Sequence, residues 1–515
     1  MKVSQILIIL ALAVIIGIPF ALRPAGPGGE DKDLPTLVVI TPHVPQIRTE
    51  FAEGFSRWHQ VHHGSAARLD FRVPGGTSEI VKQLQSQYNA AIKNGVIAAD
   101  GSCAAGSVSF DVVFGGGSFD HGRLKKGDGV TAPVVQPDGT TKAVNVPMSV
   151  PAGFSQAQLD AWFGENTIGT QTLYDPEQYW IGTALSGFGI VFNRDLLARL
   201  QLPEPDSFED LADPRLVGFV ALADPRQSGS LTTTFDAILN HYGWDQGWRL
   251  LREITANARY FTNSSTKPPV DVAQGEAAAA LAIDFYGRGQ AQAILREGQD
   301  PATSRVGYAD PVGAAYIDAD PISILRGAPN PELAKRFIEY VLSDEGQSLW
   351  QFRARPEAAS GDGLGPRQYE LRRMPVRRSM YDRYVDRMVD QADPFKAASK
   401  DSVKGWRSGI PVMMGAFAIE VSDEQRAAWR ALLSERERVT SGGGLPSRLA
   451  EMEALFYSWP TTTVDGKELE FRAENFKAIR ESWRPVGAQG RAEVGYTSFF
   501  RDAYRKVVEL ADGVD

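Results

Sequence analysis

The apolar positions alternate between two rhythms over the first two thirds of the chain. Short continuous runs have the length and the small or β-branched content of buried strands: Leu37–Ile40, Asp111–Phe114, Phe219–Ala223 and Gly275–Ile283. Between them, apolar residues recur at helical spacing. One stripe is Ile47, Phe51, Phe55 and Trp58, after a start near Pro45; others are Ile80, Leu84, Tyr88 and Ile92, and Phe235, Ile238, Leu239 and Tyr242. Strands alternating with helices predict an α/β fold. The stretch Tyr179–Leu197 stands between two such halves. Its apolar run Ile190–Phe192 reads as a strand that carries the chain from one lobe into another, and Asn193 with Asp195 reads as the N-cap and first turn of the next helix. Val306–Ile317 and Pro321–Leu325 read as return strands. Helices follow from Asn330-Pro331, with Leu333, Phe337, Ile338 and Val341 on one face, and from Ser343 through Trp350. Residues 127–175, rich in Pro, Gly and Thr, read as an insert or irregular connection. The tail reads as helical, with amphipathic stretches near Glu424–Arg438 and Pro446–Trp459, and there is no internal repeat.

Length makes this more than one domain. The 515 residues exceed the roughly 250–300 over which a single core keeps growing, so two or three domains are expected. The net charge of −9 argues against nucleic acid as a partner, because such binding relies on excess Lys and Arg. Cys103 is the only cysteine, which leaves no intramolecular disulfide and no cysteine metal cluster. At the N-terminus, Lys2 precedes an apolar run from Ile6 to Leu22, closed by Arg23. The run is long for the roughly 7–15-residue core of a secretory leader and short of a comfortable ~20-residue span. A cleaved leader and an uncleaved anchor therefore both stand. Either places the body outside the cytoplasm, in the periplasm or at the cell surface, with residues 1–33 as leader or anchor plus a Pro/Gly linker.

Candidate chemistry collects where predicted strands end. His43 lies between a strand's C-terminal end and a helix start, where open α/β sheets bind ligands; the alternative is a plain turn histidine. Gly75-Gly76-Thr77-Ser78-Glu79 offers glycine backbone, free N–H groups and hydroxyls at a helix start, a pattern that suits an anion and also suits simple capping. Gly115-Gly116-Gly117-Ser118 repeats the pattern, and Ser228-Gly229-Ser230 meets a third helix start. Asp284 and Tyr286 emerge directly after an alanine-rich strand, where a carboxylate needs a partner. His59, His62 and His63 end an amphipathic helix and read as surface residues rather than a metal site. From Arg367 to Arg387 there are seven arginines against three acids, read as a solvated, partly packed basic segment. A nucleophile elbow, a Walker loop and H-E-x-x-H are all missing from the sequence, so an enzyme has little support and a metal-dependent hydrolase is the weakest reading.

Taken together, Leu185–Leu197, Asp224–Ser230, Ala282–Gly287 and above all the helix pair Asn330–Trp350 (NPELAKRFIEYVLSDEGQSLW) resemble the periplasmic substrate-binding proteins of ABC importers, closest to the ferric-iron-binding branch of the type 2 class (extracellular solute-binding protein family 1). The resemblance covers roughly Thr36 to Gln351. It implies a two-lobe α/β periplasmic-binding-protein fold with hinge strands. Lobe 1 would be 34–179 plus 306–354 and lobe 2 would be 180–305, leaving 355–515 as a mainly helical extension packing on lobe 1. It also implies a monomer that needs no cofactor, closes over a small inorganic or anionic ligand and docks on a membrane ABC permease. A membrane-anchored sensor on the same fold is the alternative. For ferric ion as the transported ligand, the resemblance implies a histidine, an acid and two adjacent tyrosines. Carried over, these fall on His43, Glu79 and the Asp284-Phe285-Tyr286 run, where Phe285 breaks the pair and Asp284 stands in as oxygen donor. For an oxyanion or metal–anion complex, Thr77, Ser78, Ser118, Ser228 and Ser230 would hold it, with Ser186 on the cleft floor.

Overall fold

The structure, a computed structural model, describes residues 34–295, 299, 303–311, 313–355 and 363–513. The leader-or-anchor segment lies outside them. Among the described residues no helix is long and apolar enough to cross a membrane.

Strand β1 (Thr36–Ile40) pairs in parallel with β2 (Arg68–Arg72) and β3 (Val112–Phe114). Between them run α1 (Pro45–His63), which has Pro45 in its first turn and is closed by left-handed Gly64, and α2 (Thr77–Lys93). Helix α3 (Ser118–Lys126) follows β3. The stretch read as irregular is more ordered than expected. Hairpin β4 (Thr131–Val135) and β5 (Thr141–Asn145) is followed by β6 (Ser149–Val150) and by a helix, Gln156–Phe163, with a capping box at Ser155.

Strand β7 (Ile181–Asn193) is buried at all 13 positions and joins the two halves. Residues 181–188 lie against β12 (Tyr316–Leu325), whereas residues 188–192 lie against β10 (Ala279–Ile283). Strand β11 (Val306–Ala309) returns alongside residues 190–193. With β8 (Val220–Ala223) and β9 (Ala258–Thr262), the main order is β2-β1-β3-β12-β7-β10-β8-β9. The crossing expected at Tyr179–Leu197 is therefore one continuous strand, and Asn193 caps the next helix by accepting the Asp195 and Leu196 N–H groups, both at 3.1 Å. Gly189 must be small there, because a Cβ would strike the Ala309 carbonyl and the Tyr308 hydroxyl.

Helices α4 (Gly229–Tyr242), α5 (Trp244–Ala256) and α6 (Asp284–Ala293) cover the second half, and α7 (Pro331–Val341) and α8 (Asp344–Gln351) cover the first. Strand β13 (Met374–Pro375) then adds to β7. Beyond residue 400 the extension packs on the second lobe, not on the first as expected. Helix α5 carries Trp244 and Trp248, both buried, and these meet Phe417, Trp459, Phe471 and Phe476 from the extension. Helices α9 (Ser422–Thr440), α10 (Pro446–Phe456) and α11 (Ala488–Asp512) and the hairpin β14 (Thr461–Val464) with β15 (Lys467–Glu470) complete that layer. One apolar core thus runs from Ile190 through Trp248 to Val507.

Two glycines give opposite expectations. Gly189→Ala forces β11 away from β7 and should cost about 1–3 kcal/mol in urea unfolding. Gly289→Ala in α6 meets open space and should stabilise by about 0.4–1 kcal/mol.

Candidate functional site

The ends of β1 and β3 meet β7 and β12 at the centre of the sheet. His43 is buried there. Thr41 orients it: the Thr41 hydroxyl donates to the Phe114 carbonyl and accepts the His43 N–H at 3.1 Å. The His43 Nε2 lies 3.0 Å from Asp320 Oδ2 on β12. Burial drives the ring's pKa below its ordinary value despite Asp320, so at neutral pH this is a hydrogen bond from a neutral ring.

The glycine loop after β3 approaches the same point. Gly115 and Gly116 have φ of +97° and +111°, and a Cβ on either would meet the His43 ring or the Thr77 side chain. The N–H groups of this loop are not free. Gly116 donates to Asp320 Oδ1 at 2.7 Å, and Ser118 donates to Asp318 Oδ2 at 3.2 Å. Two β12 carboxylates therefore occupy the donors that the sequence offered to an external anion.

The centre of the cleft holds Arg373, which comes from beyond the region of resemblance. Its backbone is fixed: its N–H donates to the Trp350 carbonyl at 3.1 Å, and the next two residues pair with Leu185 and Ala184 of β7. Nη1 donates to Asp320 Oδ2 and lies 3.0 Å from His43 Nε2. Nη2 donates to Ser186 at 3.1 Å, and the guanidinium carbon stands 3.9 Å over the Phe285 ring. Nε is buried with no acceptor among the described residues, as is Asp318 Oδ1 with no donor. Burial alone would raise the Asp320 carboxyl, but Arg373 and His43 outweigh it and hold Asp320 below the ordinary carboxylate range.

Around this pair lie further charges. Arg372, at φ +56°, turns the other way and grips Asp390 with Nε at 2.7 Å and Nη2 at 2.6 Å. Arg288 reaches Asp310 at 3.0 Å. Asp284 is buried and pushed up to about 7 by burial, against the pull of Arg288. Asp318 is pushed up to about 6, again by burial. Burial also raises the Tyr286 phenol, which disfavours the phenolate a ferric ion needs.

The expected residues are therefore only partly brought together. His43, Ser186 and Asp284 line the centre, with Tyr286 packed beside Phe285 at 4.2 Å. Thr77 touches the glycine loop, and Glu79 folds back over Gly75 and Gly76. Ser78 lies in the first turn of α2, whose N-cap is Gly76, so no side chain caps that helix. Ser228 caps α4 by accepting the Leu231 N–H at 3.3 Å, and Ser230 lies in that helix's first turn. The tentative metal set of His43, Glu79, Asp284 and Tyr286 is not assembled: among the described residues no three His, Cys, Asp or Glu side chains gather to hold a metal. Phe285 and the Arg373 guanidinium stand beside His43 instead. Arg373 was missed because the arginine run reads as solvated; the short apolar run Met374-Pro375-Val376 directly after it was the available sign of a buried strand.

Residues 152–363 match the family of bacterial extracellular solute-binding proteins. An uncharacterized protein of Haemophilus influenzae is 32% identical over 164 residues, 32% of this chain and 44% of that one. The phosphoglycerate transport regulatory protein PgtC of Salmonella typhimurium is 23% identical over 303 residues, 57% of this chain and 66% of that one. The chain thus spans less than two thirds of either relative. Among solved structures, the apo ferric ion-binding protein A of Pasteurella haemolytica superposes with a TM-score of 0.48 at 14% identity, over 76% of this chain and 98% of that one. The matched stretch ends before Arg372 and Arg373, so the chain beyond residue 363 lies outside what the family model describes.

Removing Arg373 tests its place. Arg373→Ala leaves Asp320 buried without its cation and should cost about 3–5 kcal/mol in chemical denaturation, with Arg373→Lys recovering part. Because Asp320 is held below its ordinary value, its contribution is present above pH 3.8 and lost as pH falls below it. The variant should show a flatter acid limb in stability against pH.

Proposed function

We propose that this chain is an extracytoplasmic solute-binding protein, not an enzyme, that takes an anionic solute bearing a carboxylate or phosphate into the cleft between its lobes and presents it to an ABC permease. The match of residues 152–363 to the bacterial extracellular solute-binding family supports the binding role. The observation that carries the ligand class is Arg373, a guanidinium pinned to the cleft floor by β13 with a buried Nε–H that has no acceptor among the described residues. A carboxylate or phosphate oxygen completes such a fork, and leaving a charged donor unmet costs more than a neutral one. Ser186 and the starts of α2 and α3 supply further donors once a solute oxygen displaces Asp318 or Asp320. The name of the PgtC relative, which concerns phosphoglycerate, is consistent with this class.

Ferric ion is the weaker reading. A fixed guanidinium beside His43 repels a trivalent cation, and the second tyrosine of the expected pair is replaced by Phe285. In a thermal-shift series, 3-phosphoglycerate or inorganic phosphate at a hundredfold over Kd should stabilise by about 2.7 kcal/mol, and Arg373→Ala should abolish the shift. Ferric ion alone should give no tyrosinate charge-transfer colour; such a colour would overturn the assignment. The sign of the pH dependence follows from Asp284. Its proton is lost as pH rises through about 7, which places a negative charge in the cleft. Anion affinity should fall roughly tenfold (about 1.4 kcal/mol) between about pH 5.5 and about pH 8, and Asp284→Asn should flatten that dependence.

A further inference from the structure

In a two-lobe protein joined only by crossing strands, the solute itself sets closure, because it touches both lobes. This chain has another connection. After β13 the extension runs along the first lobe, where the Val389 N–H donates to the Gln351 carbonyl at 2.8 Å and the Asp390 N–H to the Gln351 side chain at 3.0 Å. Asp390 then faces the second lobe, with Arg288 at 3.4 Å and with Arg372, whose Nη1 reaches Gln292 of α6 at 2.8 Å. Further on, the Ser399 N–H donates to the Ala315 carbonyl at 2.8 Å, between the return strands. Asp401 touches both lobes: its carbonyl accepts from Thr170 at 3.1 Å, and its carboxylate pairs with His241 at 2.7 Å. The Lys404 N–H donates to Asn240 at 2.8 Å and Arg407 donates to Thr233 at 2.8 Å, both on α4. The Arg407 guanidinium also lies 5.0 Å over the ring of Phe119 on α3 of the first lobe.

This path roofs the cleft. Beneath it, Gly187, Asp284, Arg288 and Asp310 face Asp393 and Pro394 across a cavity of about 50 Å³. At roughly 10–15 Å³ of such volume per water, the cavity as it stands has room for a few waters rather than for a phosphorylated or carboxylated solute.

We propose that residues 388–407 are a strap that holds the lobes closed without solute, so that solute enters only when the strap lets go. The coupling to solute entry rests on the solute-binding reading; the closure itself does not. Lobe separation is then an equilibrium of the extension, and the affinity measured for a solute is lowered by the fraction of molecules with the strap seated.

The test uses the full chain without solute. Spin labels at Val61→Cys on the first lobe and Val494→Cys on the second-lobe layer, in a Cys103→Ala background, report the distance between lobes. Both sites are well exposed, at 78% and 72%. The parent should give one narrow distance. Asp390→Asn, and separately a Gly/Ser insertion of about six residues after exposed Val403, should each add a second, longer population. The insertion removes no side chain and follows an exposed residue, next to the Lys404 N–H that bonds Asn240, so it decides the matter if Asp390→Asn fails to fold. Unchanged distributions in the insertion variant, or two populations already in the parent, overturn the strap. Binding of 3-phosphoglycerate, measured in parallel, separates the two ideas. A strap that opens with no binding in any variant sinks the ligand class alone, whereas a slackened variant that binds with an on-rate at least about tenfold faster supports both.

Discussion

The structure depends on one buried charge pair, Arg373 with Asp320, placed where β7, β12 and β13 meet. Neither charge would be tolerated there alone, since an isolated ion in a protein interior costs several kcal/mol. Each is supplied by a different part of the chain: Asp320 by a return strand and Arg373 by the extension. The cleft therefore cannot reach its folded electrostatics until the chain beyond residue 370 has returned to the sheet. His43, the glycine loop and Ser186 take their positions from that pair, through Asp320 on one side and the guanidinium on the other.

Much of the architecture was legible in the sequence because it is local. Continuous apolar runs gave β1, β3, β8 and β10, helical stripes gave α1, α2 and α4, and the Asn193 cap closed β7 at the right residue. The double membership of β7 was legible too, since a uniformly apolar strand between two α/β halves has few other places to lie. The position of His43 between a strand end and a helix start was legible for the same reason.

What the sequence did not reveal is set by long-range pairing. Arg373 is one arginine among seven in its stretch, and nothing within several residues distinguishes it from Arg367 or Arg383; its partner lies 53 positions upstream. Asp318 and Asp320 fell in the gap between the two runs read as return strands, Val306–Ile317 and Pro321–Leu325, although they cap the glycine loop from across the sheet. The extension was assigned to the wrong lobe because its apolar faces fix that something is covered and not what is covered. The decisive surface was the tryptophan pair on α5, whose partners follow more than 150 residues later.

Arg252 shows what that covering means. It is wholly buried on α5 with no acid paired to it among the described residues; its Nη1 donates to the Ser458 carbonyl at 2.9 Å, and its guanidinium rests 4.2 Å from Trp459, 5.0 Å from Phe500 and 5.2 Å from Phe417. A cation from the family-matched stretch is thus solvated by aromatic rings and carbonyls that come after it. The stretch that matches the family model and the unit that folds do not coincide in this chain. A fragment ending at residue 363 would keep β1 to β12 and still present a bare tryptophan face and a stranded arginine to water, so the later third is part of the second lobe's interior rather than an appendage to it.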